Sequence, residues 1–328
     1  MLKHIKVQPL AAESLGVRSM STFIETPNIR VLLDAGVSLA PNRFGFQPHP
    51  LEYKAIIEAR KRIKEAAEKA DIVTISHYHF DHHTPSYTDW CYNWTNEETA
   101  REIYQDKFVL AKSYKSKINF NQRRRGWMFT KTGGKYAKKL EFADGKKFKF
   151  GETTIKFSEP VFHGSENTAL GWVLMMLVEY EDEKVLFAPD VQGPMYDKTL
   201  KMILAAKPQL LIIGGPPLYL ADFRVKKENI NLGIRNLEIL AEKIPNMILE
   251  HHLLRDENWK EKVKSVFEKA RQNNHNVFTA AEYIKQENNL LESIRDKLYQ
   301  NFPPENEFEK WLNLPPKKRR IFPPPIIQ

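Results

Sequence analysis

Cysteine is nearly missing from this chain: Cys91 is the single one in 328 residues. One thiol excludes an intrachain disulfide framework and suits a reducing compartment, so a cytoplasmic protein is expected. Long apolar runs are missing too. The longest, "ALGWVLMMLVEY", is about half of the ~20 residues that a spanning helix needs. The opening "MLKHIKVQPLAAES" carries no apolar core of the kind a signal peptide uses, so neither secretion nor a membrane anchor is expected. No segment repeats. Acidic residues are the minority charge, 41 Asp and Glu against 50 Lys and Arg, a net +9. Apolar residues make up 42%, enough for a sizeable core in one large domain or two small ones.

What is present alternates strand and helix signals. "HIKVQPL", "MSTFIET" and "RVLLDAG" are short β-leaning runs broken by turn residues. Residues 50–70, "PLEYKAIIEARKRIKEAAEKA", space their apolar side chains for a helix that starts at Pro50. "DIVTIS" (71–76) reads as a strand buried on both faces. Between 140 and 191 apolar and polar residues alternate, and Asp144-Gly145, Phe150-Gly151 and "EDEK" read as hairpin turns. Helix, strand, helix and strand signals follow in "MYDKTLKMILAA", "PQLLIIGG", "ENINLGIRNLEILAEKI" and "NMILE". Long helices are expected over 256–273 and 280–300, either covering the fold or meeting a second copy. Two half-sets of strands, each followed by helices, make an α/β fold of the αββα sandwich type: two mixed sheets face to face with helices on the outer faces. One domain over 1–300 is expected, with a basic insertion or lid at about 92–139. The remainder, 301–328, reads as a short helix and a Pro-rich basic tail, extended or loosely attached.

The stretch "SHYHFDHHTP" (76–85) puts His77, His79, Asp81, His82 and His83 at the end of the buried strand. On extended chain His77 and His79 point to the same side, because side chains alternate with a period of two. Two imidazoles could then grip one metal, and Asp81 and His82 a second; such ligands suit Zn, Fe or Mn. This stretch resembles the signature of the metallo-β-lactamase superfamily, whose fold is the αββα sandwich. Matches to its further positions follow in order. Asp34 in "RVLLDAG" resembles the buried aspartate that supports the site, and His163 in "EPVFHGS" the third His ligand. Asp190 in "VLFAPDVQG" resembles the carboxylate between two metals, and His251 or His252 in "MILEHHLLRD" the last His ligand. Neighbours on a strand face opposite ways, so one of that pair is expected to point away, and position slightly favours His252 as the ligand. Phe162 precedes His163 and Pro189 precedes Asp190, where the superfamily usually has Gly. No cysteine stands at a ligand position, which argues against the antibiotic-hydrolysing enzymes with a Cys in the second site. The chain is more similar to a prokaryotic metallo-hydrolase branch to which the resemblance attaches no substrate.

The resemblance implies a metal-dependent hydrolase with two divalent ions, zinc foremost and manganese or iron as alternatives. His77, His79 and His163 are implied on the first ion, Asp81, His82 and His251 or His252 on the second, and Asp190 between them. A hydroxide shared by such a pair attacks ester-like, thioester, lactone or phosphodiester bonds. Asp81 is expected to orient the hydroxide if one metal is bound. His83 either sits behind the ligands, gives a proton to the leaving group, or faces solvent. Arg255 is either a partner for an anionic substrate or a surface residue, and Gly214 and Gly215 either admit close backbone approach or make a tight turn. Residues 111–139 hold ten Lys or Arg and no acid, interleaved with Tyr114, Phe120, Trp127, Phe129 and Tyr136. Cations with aromatics suit single-stranded RNA or DNA, which makes a nuclease the alternative; a charged lid is the other reading. A third function class uses the same ligands for iron redox chemistry or sensing. The expected partners are a small-molecule or phosphodiester substrate, or nucleic acid, and no membrane.

Overall fold

In a computed structural model that describes residues 2–326, two large mixed sheets face each other. The first runs in the order β1 (Lys6–Pro9), β2 (Thr22–Glu25), β3 (Arg30–Leu33), β4 (Ile72–Ile75), β5 (Phe108–Ala111) and β6 (Lys139–Phe142). Its first three strands pair antiparallel and the rest parallel. The chain then makes β7 (Lys147–Phe150), β8 (Thr153–Phe157) and a two-stranded ribbon of β9 (Val161–Phe162) and β10 (Trp172–Val173). It continues through β11 (Met176–Tyr180), β12 (Glu183–Ala188), β13 (Leu210–Gly214), β14 (Asn246–Glu250) and β15 (Asn276–Phe278). The second sheet has the order β15-β14-β13-β12-β11-β8-β7, parallel from β12 to β15 and antiparallel elsewhere.

The period of two along each strand sorts the apolar residues into layers. Val31 and Leu33 meet Leu210, Ile212 and Ile248 in a core between the sheets. Leu32, Val73 and Ile75 face the other way, onto α1 (Pro50–Lys69), α2 (Glu97–Tyr104) and α3 (Phe120–Lys131). On the far side, Leu211, Ile213, Met247 and Leu249 pack under α4 (Asp197–Ala206), α5 (Lys227–Lys243) and the helix Lys264–Gln272. The chain is thus the expected αββα sandwich. The carboxyl ends of β3, β4, β12, β13 and β14 share one edge, the place where open α/β sheets receive ligands. No helix among the described residues is long and apolar enough to cross a membrane.

Four local expectations are corrected. Asp144-Gly145 is no hairpin turn: β6 and β7 lie in different sheets, and Asp144 instead accepts from Lys112 Nζ at 2.6 Å and Ser113 N at 2.7 Å where the chain crosses. Residues 92–139 are no insertion, because they supply β5, a central strand of only four residues that the surrounding charge masks. The long helices over 256–273 and 280–300 are broken, the first at Val263 and the second over 284–291, leaving only short helices there, among them Ala280–Tyr283 and Arg295–Asn301. The tail is attached. Helices Asn306–Leu312 and Pro316–Ile321 fold back, and the Phe308 and Trp311 rings lie 5.8 and 5.7 Å from that of Tyr53 on α1.

A buried ion pair ties this C-terminal part to the first half. Arg295 donates to both oxygens of Glu52, at 2.8 Å each, and to the carbonyls of Ala40 and Phe46. Glu52 also accepts from His49 N at 2.9 Å and so caps α1. Removing one partner of a buried pair leaves an uncompensated charge, at about 3–5 kcal/mol. Arg295→Met is therefore expected to lower the thermal midpoint by several degrees; a midpoint equal to the parent's would contradict this role.

Candidate metal centre

The loop after β4 curls at once: the amides of His82 and His83 both donate to His79 O, at 3.0 and 3.1 Å. The turn brings the rings of His77, His79 and His82 together, with His77 4.6 Å from His79 and 4.2 Å from His82 between centroids. Gly36, two residues past Asp34, makes room for it. A Cβ there would lie 2.3 Å from His83 N and 2.4 Å from His82 N, so only glycine lets the two loops touch.

Asp190 occupies the middle. Its Oδ2 is 3.1 Å from His77 Nε2, 3.1 Å from His82 Nε2 and 2.9 Å from His163 Nε2, with His79 Nδ1 at 4.0 Å. Its Oδ1 is 3.0 Å from the Nε2 atoms of both His251 and His252. Donor atoms within 4.8 Å of one another form four overlapping groups among the described residues: His77, His79, His163 and Asp190; Asp34, His77 and His82; Asp81, His82 and His251; Asp190, His251 and His252. The expectation that one of the last two rings points away is not met. β14 stops at Glu250, His251 takes a φ of 70°, and the tight turn His251–Arg255 swings both rings toward Asp190. Asp34 and Asp190 also hold left-handed φ, 45° and 52°. Such backbone costs of order 1–3 kcal/mol per residue and persists where the surroundings over-determine it.

Carboxylates behind the histidines aim them. Asp34 accepts from Ser76 N at 2.8 Å, from Ser76 Oγ, and from His82 Nδ1 at 2.8 Å. Glu13 accepts from His251 Nδ1 at 2.9 Å with one oxygen and from Arg255 Nε and a terminal nitrogen, at 2.9 and 2.6 Å, with the other. A proton held on Nδ1 leaves the Nε2 lone pair directed at the centre, the tautomer a metal needs. Gln192 lies 3.4 Å from His163 Nδ1, and Gln122 3.4 Å from His79 Nε2. Gly214 and Gly215 serve close approach: a Cβ would sit 3.0 Å from Asp190 N at the first and 2.5 Å from Leu253 Cδ2 at the second.

The buried Nε2 atoms of His82, His163 and His252 and Oδ1 of Asp190 have no hydrogen-bond partner. Each such orphan costs about 1–3 kcal/mol, so four at one point call for a cation between them. The nitrogen and oxygen donors fit divalent zinc, iron or manganese. Burial pushes the Asp190 carboxyl up, but the imidazoles of His163, His251, His82 and His252 overcome it and hold it well below the usual range. Burial drives His77 well below its ordinary value, which leaves a neutral ring able to ligate. For His251, burial acts downward most strongly of any single cause, but Glu13 and Asp190 together outweigh it and raise it to about 9, so a metal must displace a proton there.

His83 turns away from Asp190. Its Nδ1 bonds His79 O at 2.9 Å, and its ring meets Tyr78 and Phe129 edge-on. Burial pushes it down to about 3, so at neutral pH the ring is uncharged and braces the loop through its bond to His79 O. Arg255 is buried and paired with Glu13 rather than lying on the surface. The supporting residues that sequence reasoning missed are Glu13, Gln122, Gln192 and Gly36. Glu13 lies 238 positions from His251, and nothing local marks it. Asn tolerates left-handed backbone, so Asp34→Asn removes the charge behind His82 with little backbone penalty. It is expected to weaken zinc binding about 10–100-fold in a competition titration with a chelator; unchanged affinity would contradict the supporting role.

No family model matches the chain. Among solved structures it is similar to the metallo-beta-lactamase fold protein YhfI from Bacillus subtilis, at 14% identity and a TM-score of 0.49, over 84% of this chain and 97% of that one. The UPF0282 protein of Korarchaeum cryptofilum is 37% identical over 308 residues, 94% of this chain and 99% of that protein. The UPF0282 protein of Methanopyrus kandleri is 45% identical over 294 residues, 90% of this chain and 99% of that protein. At that identity over nearly the whole of both proteins, the chain belongs to the UPF0282 family.

Proposed function

We propose that this chain is a metal-dependent hydrolase that takes two divalent ions, zinc foremost, at the cluster around Asp190. The observation that carries this reading is the convergence of five Nε2 atoms on one buried carboxylate, three of them without hydrogen-bond partners. His77, His79 and His163 would hold the first ion, and Asp81, His82 and His251 the second. Asp190 turns Oδ2 to His77, His82 and His163, and Oδ1 to His251 and His252. When bound, such a pair supplies a water of lowered pKa and a Lewis acid for the scissile bond.

The chain's own part is to fix geometry and admit substrate. Asp34 and Glu13 lock the ring orientations, and rigid strand ends hold the ligands to small tolerance. A cleft of about 420 Å³ opens on His79, Asp81, His163, Asp190 and His252. Asp81 lies in its wall, 3.6 Å from His251 Nε2 and 3.8 Å from a terminal nitrogen of Arg255, placed to accept a hydrogen bond from water. Ester-like, thioester, lactone and phosphodiester bonds all fit. In the basic segment Lys112 is buried on Asp144 and Arg125 turns into the cleft, while Arg123 and Arg124 stay exposed.

The test is turnover of a panel of aryl esters and aryl phosphodiesters by protein loaded with zinc, manganese or iron(II). Hydrolysis of at least one is expected, falling more than about 100-fold in His163→Ala. No turnover with any metal, or turnover indifferent to His163, would count against a hydrolase.

A further inference from the structure

The lining of the cleft carries information about what enters it. Four arginines face it: Arg18, Arg125, Arg255 and Arg320. Two are already answered. Arg18 donates to both oxygens of Glu292, at 2.6 and 2.5 Å, and Arg255 is held by Glu13. Arg125 and Arg320 have no carboxylate within 4.0 Å among the described residues.

Arg125 is pre-oriented. Its guanidinium lies 4.0 Å from the centroid of Phe80, and one terminal nitrogen donates to Tyr78 O at 3.2 Å. It reaches the cleft because α3 packs tightly on the His loop: a Cβ at Gly126 would come within 2.6 Å of the Tyr78 ring. A planar guanidinium stacked on an aromatic face, with donors to spare, is a ready anion receptor. Arg320 arrives from elsewhere, on the C-terminal helix Pro316–Ile321, anchored by Trp90 N donating to Arg320 O at 2.9 Å. The two cations thus stand on independent elements, α3 and the C-terminal helix, and line one cleft.

Beside this cleft lies a second cavity of about 430 Å³ that shares Phe80, Tyr87 and Arg125 with it. Met128 and Phe129 add to its mainly apolar wall, and His83 contributes one imidazole edge. The two spaces meet at the stacked Arg125. The geometry points to an organic phosphate as substrate. Its phosphate oxygens are received by Arg125 and Arg320, and its apolar or aromatic arm enters the side cavity. A phosphate offers oxygens to both guanidiniums at once, whereas a carboxylate is matched by one fork. This inference rests on the hydrolase reading for the identity of the cleft as a substrate site.

The experiment is calorimetric titration of zinc-loaded protein with three non-hydrolysable probes: benzylphosphonate, methylphosphonate and phenylacetate. Benzylphosphonate is expected to bind at least tenfold more tightly than either of the others. Arg125→Gln and Arg320→Gln are each expected to weaken it at least tenfold. Arg320 is exposed, so its variant tests the idea even if Arg125→Gln folds poorly. Benzylphosphonate binding unchanged in Arg320→Gln would overturn the proposal, since the metals alone would then hold the anion. Methylphosphonate binding as tightly would remove the side cavity from it, and phenylacetate binding as tightly would replace phosphate by carboxylate. The same preparations are assayed for turnover of neutral aryl esters and aryl phosphodiesters. Turnover without selective phosphonate binding sinks this inference alone; arginine-dependent phosphonate binding without turnover of any aryl ester or aryl phosphodiester sinks the hydrolase reading and leaves the cleft a phosphate-binding site.

Discussion

A carboxylate buried among five imidazoles is the constraint on which this structure turns. Asp190 has almost no exposure, and each of its oxygens faces histidine nitrogens at about hydrogen-bond distance. Alone, such a group is expensive, because burial disfavours its charge and orphaned nitrogens surround it. The arrangement is sustained by a layered fold that offers one rigid edge. Parallel strands from both sheets end there, and left-handed backbone at Asp34, Asp190 and His251 turns the chain inward as the strands stop. Stability is given up at the edge and supplied by three apolar layers around it.

The centre is shaped by what stands behind the histidines as much as by the histidines. Asp34 and Glu13 come from the first 34 residues and orient histidines 48 and 238 positions away. Glu13 in turn holds Arg255, and Glu292 holds Arg18, so two of the four cleft arginines are tied to acids of the scaffold. The other two, Arg125 and Arg320, line the cleft with no carboxylate within 4.0 Å among the described residues. The C-terminal segment contributes to the site as well as to the core: Trp311 packs on Tyr53, and nine residues later Arg320 faces the cleft.

Much of this was legible in the sequence, for identifiable reasons. The αββα fold and the loop His77–His83 could be read because strand period and ligand spacing are local properties. Asp34, His163 and Asp190 were placed by resemblance to the superfamily's ordered pattern, which sets such residues at strand ends. Three features could not. Asp144-Gly145 has the composition of a hairpin, and only the pairing of β6 and β7 in separate sheets, with Lys112 bound to Asp144, shows a crossing. β5 is four residues beside a strongly basic segment, too short to announce itself. The His251 and His252 pair defeated strand alternation because the strand ends one residue earlier, and a positive φ at His251 cannot be seen in its identity. Glu13 and Arg320 act through tertiary distance alone.

The most direct test of the account is metal content per chain, by elemental analysis of protein purified without chelators and of an Asp190→Ala variant. About two divalent ions per chain are expected for the parent, as in other binuclear sites, and less than about one for the variant. A folded parent chain that retains no metal, even after reconstitution with zinc, manganese or iron(II), would contradict the account at its centre.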